Sequence, residues 1–286
     1  MKYFVTIGNF DGFHIGHQNI ISELKRLAKK FDANTRLYSF DFHTRNLSSL
    51  ILDEKNKESM AYSLGIDSYE LLHFSDIKDM SPIEFLNYID NDILGIVVGE
   101  DFRFGKDRLG SVDDIVKYAK DNNLIANIIP DVIIDSGEKI SSSSIRKLIS
   151  NGDIKKANEQ LGYNFFATGI VEEGYKRGRE IGFKTANISW SDEQIKPKDG
   201  VYYTKIIVDG KIYDSMTMAG IAKTFNHSFS CETNIFDFDR FIYGHEVKLI
   251  FLDFIRENKK FNSIDEVRAQ LEKDKIKCIE LAKGMR

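Results

Sequence analysis

The chain has 286 residues, 42% hydrophobic and 29% charged, the composition of an ordinary soluble protein long enough for two cores. A formal net charge of −4 and a pI near 5.9 exclude general attraction to nucleic acid or to an anionic membrane. Two cysteines, Cys231 and Cys278, exclude a disulfide framework and fit a reducing cytoplasm; no signal peptide or membrane-spanning run is expected.

The apolar, β-branched run over 3–7 predicts a buried strand. Gly8-Asn9-Phe10-Asp11-Gly12 is turn chemistry, and apolar spacing predicts a helix over 18–30. Strands then read at 36–40, 69–74 and 93–98, with a last apolar run at 124–129. Helices read between them at 56–64, 81–89 and 111–122. Continuous apolar strands separated by helices imply an α/β, Rossmann-like unit with a parallel sheet covered on both faces. Ligands bind such sheets outside the carboxyl ends of the strands, which draws attention to the loops 9–17, 41–44 and 100–105. A serine run over 141–144 caps a helix reaching residue 149, and another helix reads over 152–161. Strand-like runs at 165–171, 200–208, 211–218 and 247–254 follow without intervening helices until 263–282. They predict an antiparallel β-barrel closed by a terminal helix, and a division into domains 1–160 and 161–286.

His14-Ile15-Gly16-His17 carries the most chemistry. Two imidazoles sit where a strand hands over to a helix, near exposed N–H groups and the positive end of the dipole. Gly8, Gly12 and Gly16 let a polyphosphate approach the main chain. No further His, Cys or Glu lies nearby to complete a zinc-type ligand set, so phosphate is the expected ligand. Arg146 early in a helix opposes the dipole unless an anion stands in front of it.

With these motifs in place, the chain resembles the bacterial bifunctional riboflavin kinase/FAD synthetase family. The resemblance rests on 8–17, on Val98-Gly99-Glu100-Asp101-Phe102-Arg103-Phe104-Gly105 and on Ile140-Ser141-Ser142-Ser143-Ser144-Ile145-Arg146. In the second half it rests on Gly178-Arg179-Glu180-Ile181-Gly182-Phe183, Thr185-Ala186-Asn187, Gly200-Val201-Tyr202 and 232–238. The resemblance implies that the first domain transfers AMP from ATP to FMN, giving FAD and pyrophosphate. His14, His17 and Arg146 would be catalytic there. Gly8, Asn9, Phe10, Asp11, Gly12, Gly16, Asp41, Asp101, Ser142 and Ser143 would line the nucleotide and flavin sites. The second domain would be a riboflavin kinase, with Gly182, Thr185 and Asn187 on Mg²⁺-ATP, Thr185 and Asn187 nearest the metal, and Glu232 as general base.

The chain departs from the family where prolines are usual: Phe42, Thr44, Lys184 and Lys223 stand at those places. Proline preorganises a loop, so its loss loosens what the loop holds. The expectation is therefore a cytoplasmic FMN adenylyltransferase carrying a kinase-like barrel of doubtful activity, with full bifunctionality as the alternative. The altered loop at 41–44 leaves open whether FMN or reduced FMN is preferred. A tRNA synthetase-like protein would share the paired histidines, yet the chain lacks a Lys-Met-Ser-Lys type loop and a basic RNA-binding region. A flavin- or nucleotide-binding regulator would not need the transition-state donors. Substrates and partners are expected to be ATP and flavin, without nucleic acid or membrane.

Overall fold

The computed structural model describes residues 2–41, 49–89, 92–134, 137–173, 182–221 and 229–284. Its contacts divide the chain into two compact units, 1–142 and 143–286. In the first unit β1 (Tyr3–Ile7), β2 (Asn34–Phe40), β3 (Ser68–Leu72), β4 (Ile93–Gly99) and β5 (Ile125–Ile129) form a parallel sheet in the order β3-β2-β1-β4-β5. Phe4, Val5, Ile96, Val97 and Val98 are fully buried, as strands covered on both faces must be. The intervening helices are α1 (Ile15–Lys30), α2 (Glu54–Ser63), the short α3 (Phe74–Ile77), α4 (Pro82–Ile89) and α5 (Val112–Asp121). Helix α1 buries Ile21, Leu24, Leu27 and Ala28, one face at helical spacing. Asp53 caps α2, and Ser111 with Asp114 forms a capping box that starts α5. Strand order reverses between β1 and β4, so a crevice opens at their carboxyl ends.

The second unit holds most of α6 (Ser142–Asn151), then α7 (Ile154–Leu161) and a closed barrel ordered β10-β7-β6-β11-β8-β9. Its strands are β6 (Phe166–Glu172), β7 (Ala186–Ile188), β8 (Gly200–Val208), β9 (Lys211–Ile221), β10 (Phe229–Ile235) and β11 (Glu246–Glu257). All pair antiparallel, and closure leaves no edge to template further pairing. Successive residues of β8 face opposite ways. Val201 and Tyr203 pack with Met216, Phe236, Leu252, Ile255 and Cys278 of the terminal helix α8 (Ile264–Gly284). Thr204, on the other face, starts a buried hydroxyl chain: 2.8 Å to Ser215 and to Thr217, then 2.9 Å from Thr217 to Thr233. Both cysteines are free and buried.

The expected division at 160 differs from this one because α7 rests on the barrel. Asn158 donates to the Phe251 carbonyl at 3.0 Å and accepts from Phe165 N–H at 2.7 Å, and Lys155 pairs with Asp253 at 2.8 Å. Strands β7 and β10 and helix α3 are elements that the sequence pattern did not announce. Among the described residues no helix is long and apolar enough to cross a membrane.

Candidate active sites

At the end of β1, Gly8 N–H donates to the Tyr38 carbonyl at 3.0 Å, and Asn9 follows, partly buried. Phe10 and Phe13 take φ of 45° and 39°, a conformation that non-glycine residues hold only where the surroundings enforce it. Their rings stack at 5.6 Å, and Phe10 lies 5.0 Å from the His17 ring. The Asp11 carboxylate is turned inward: it is buried and accepts from Ile51 N–H at 2.7 Å. Gly12 has φ 78°, and a Cβ there would stand 2.8 Å from the Ile51 side chain. The motif turn thus clamps the chain returning at residue 51.

His14 is buried and His17 partly so; their rings lie face to face at 3.7 Å and 19°. A Cβ on Gly16 would press on the His14 ring at 3.2 Å. The Nδ1 atoms of both histidines are buried without a hydrogen-bond partner. Burial, aided by the Lys139 charge and opposed by Asp101, lowers the His14 pKa to about 4. His17 is held well below the usual histidine value, first by burial and then by His14, Lys57 and Lys139. Both imidazoles are therefore neutral at pH 7, each with one N–H to give.

Asp101 follows β4, across the switch point from the histidines. Its carboxylate meets the Lys139 ammonium at 2.5 Å, and Asp131 meets the same ammonium at 2.6 Å. Burial opposes the Lys139 charge, but the two carboxylates hold its pKa above the ordinary lysine value. Ser142, the first residue of α6, donates to the Asp11 carbonyl at 2.8 Å and so joins the motif turn. Further along α6, Arg146 donates to Ser143 Oγ at 3.1 Å. Asp41, at the end of β2, accepts from Phe74 N–H at 3.3 Å and lies 3.2 Å from the His73 ring nitrogen. The charges of Lys139 and Lys57 also reach the histidines; Lys139 stands beside the serine run in the sequence, whereas nothing local marks Lys57.

On the barrel, Asn187 in β7 stands in register with Glu232 in β10 and with Glu172 in β6. Directly opposed residues share a face, so Glu172, Asn187, Glu232 and Met218 of β9 form one row across four strands. Thr185 immediately precedes β7. The stretch before it is anchored by Phe183, buried beneath α8, and by Asn234, which donates to the Lys184 carbonyl at 2.7 Å. Gly182 is exposed with φ 80°. Lys184, at a lost proline, pairs with Asp239 on the surface. Phe42, His43 and Thr44, the motif stretch 178–181 and the stretch 222–225, Lys223 included, lie outside the described residues. Glu172 went unnoticed in the sequence.

A model of the FAD synthetase family matches residues 1–144, and one of the riboflavin kinase family matches 161–282. The chain is 36% identical to a bifunctional riboflavin kinase/FMN adenylyltransferase of Listeria monocytogenes, over 94% of this chain and 89% of that one. A Bacillus subtilis protein of the same description is 33% identical, over 100% and 94%. A crystal structure of a Streptococcus pneumoniae protein, described as a macrolide-efflux protein, superposes with TM-score 0.87 at 32% identity, covering 96% of this chain and 93% of that one. These matches run through the barrel as well as the sheet, and they lend no support to the expectation of a kinase module of doubtful activity. The paired imidazoles at the switch point, the Asn187–Glu232 row and these matches place the chain in the bacterial bifunctional riboflavin kinase/FMN adenylyltransferase family.

Proposed function

We propose that the chain carries both activities, phosphorylating riboflavin to FMN and adenylylating FMN to FAD. The domains carrying them are assigned as 1–160 and 161–286. The stacked His14–His17 pair, with its unpartnered Nδ1 atoms at the β1–β4 crevice, is the observation that carries the adenylyl-transfer reading. A buried polar atom left without a partner costs free energy that a bound phosphate oxygen relieves.

In adenylyl transfer an FMN phosphate oxygen attacks the α-phosphorus of ATP, and the bond to the bridging oxygen breaks to release pyrophosphate. The nucleophile is already ionised, so positioning and charge stabilisation carry the rate. His14 and His17 donate to the triphosphate, and the α6 residues Ser142, Ser143 and Arg146 are assigned to its distal phosphates. Glycines 8, 12 and 16 keep the main chain open to it. Asn9, Phe10 and Asp11 shape the turn, while Asp101 and Asp41 border the nucleotide and flavin.

In the kinase, Glu232 accepts the proton of the ribityl hydroxyl as its oxygen attacks the γ-phosphorus and ADP departs. Among the described residues no group of three His, Cys, Asp or Glu could hold a metal by itself. The oxygen donors of Thr185 and Asn187 nevertheless suit Mg²⁺, which keeps most of its shell for water and phosphate. Bound there, Mg²⁺ would neutralise phosphate charge.

Purified protein with Mg²⁺-ATP and riboflavin, FMN or reduced FMN, its products resolved by chromatography, tests the proposal. FMN from riboflavin and FAD from FMN are expected. FAD without FMN would return the kinase to an inactive module, and no FAD would remove adenylyl transfer.

A further inference from the structure

Lys57, in the first turn of α2, is the most deeply buried cation among the described residues of the first unit, with 2% of its side chain exposed. Its ammonium donates to Ser39 Oγ at 2.9 Å and to Glu54 Oε2 at 3.0 Å. The other Glu54 oxygen accepts from the Tyr69 hydroxyl, so the carboxylate is shared. An ammonium has three donors, and among the described residues two are matched. A buried ion pair is a weak source of stability, because desolvation offsets its attraction. Stability alone does not account for a lysine here.

Its place does. Ser39 lies at the carboxyl end of β2, on the flank of β1 away from β4. Asp101 and Lys139 occupy the β4–β5 flank, Ser142 meets the turn that follows β1, and the histidines open α1 after that turn. In-line displacement requires the attacking oxygen to arrive opposite the departing pyrophosphate. If the triphosphate runs toward the Lys139 ammonium on the β4 flank, the incoming phosphate comes from the β2 side, where Lys57 is a buried charge among the described residues. The Lys57 field reaches His17, where it lowers the imidazole pKa.

We propose that Lys57 binds the phosphate of the flavin nucleotide, its third donor and its charge drawing one anion toward another for attack. This rests on the adenylyl-transfer reading and adds to it the residue that selects a phosphorylated flavin. Repulsion between two phosphate groups is strongest in a dry site, and a cation already desolvated screens it best.

The test must avoid stranding Glu54. Glu54→Gln keeps the ammonium, and the double variant Glu54→Gln/Lys57→Met removes both charges at similar volume. The double variant is expected to raise KM for FMN at least about tenfold over Glu54→Gln, with KM for ATP within about threefold and an unchanged melting midpoint. Equal KM values for FMN in the two variants overturn the proposal, as does an equal rise for ATP. If the wild type forms no FAD, the adenylyl-transfer reading fails, and FMN titration by fluorescence quenching decides the Lys57 proposal separately. Weaker FMN binding in the double variant than in Glu54→Gln supports it, and superimposable titrations overturn it. Should the double variant not fold, Lys57→Arg, which leaves Glu54 a cation but moves the donors, takes its place. A rise in KM for FMN alone then supports the proposal, and no change overturns it.

Discussion

His14 is charged reluctantly in the folded chain, and this has a consequence for stability. A histidine whose pKa falls from 6.5 to about 4 on folding binds fewer protons when folded than when unfolded. Its contribution is intact above pH 6.5 and is lost as pH falls toward 4. Between pH 7 and pH 5 the wild type should lose about 2 kcal/mol relative to His14→Gln, read from urea midpoints at both pH values. An equal acid sensitivity of the two proteins would show that His14 is not buried neutral. The residues around it were unequally legible. Gly12, His14, Gly16 and His17 stand together in ten residues of sequence, and their types announce phosphate. The inward turn of Asp11 onto Ile51 was not legible, because it depends on a segment forty residues away returning to the motif. Lys57 reads as a surface lysine among Glu54, Lys55 and Glu58, and only the meeting of β2 and α2 buries it.

At the scale of elements, the Arg256–Asp274 ion pair fastens α8 to β11. Arg256 reaches Asp274 with Nε at 2.9 Å and Nη2 at 2.7 Å, and Gln270 supports the same carboxylate at 2.8 Å. Asp274 is 3% exposed, so Asp274→Ala leaves a guanidinium nearly buried and unpaired. It should cost about 3 kcal/mol in urea unfolding, and Arg256→Met in the same chain should restore most of that. A single variant within 0.5 kcal/mol of wild type, on the order of a surface change, would mean that α8 is held by its apolar contacts alone. Helical and strand periodicity located the long elements to within a few residues. Strand β7 escaped it because three residues carry no period, and β10 because its Ser230, Glu232 and Asn234 look like a polar loop until β7 and β9 flank them.

For the molecule as a whole, the paired histidines and the Asn187–Glu232 row stand in different compact units, and each proposed activity should fail without the other. His17→Ala should lower FAD formation by roughly 3–4 kcal/mol of barrier while FMN formation from riboflavin persists. Glu232→Gln should reduce FMN formation at least a hundredfold, on the order of a general base's contribution, while FAD still forms from supplied FMN. Product analysis of both variants checks this, and parallel loss in either one would contradict two separate centres. The Asn187–Glu232 register supports the proposed kinase activity at one of the altered positions: the two strands pair those residues directly with Lys184 in the place of a proline. The amino-acid sequence alone determined the two architectures, the strand-to-helix phosphate motif and the family, because periodicity and short contiguous motifs are local properties. Tertiary structure alone decided the imidazole stacking, the burial of Lys57, the Lys139–aspartate cluster and the Glu172–Asn187–Glu232 row. Apart from the imidazole pair, those features join residues distant in the chain, and the lowered histidine and raised Lys139 pKa values arise only from burial and from charges that folding brings together.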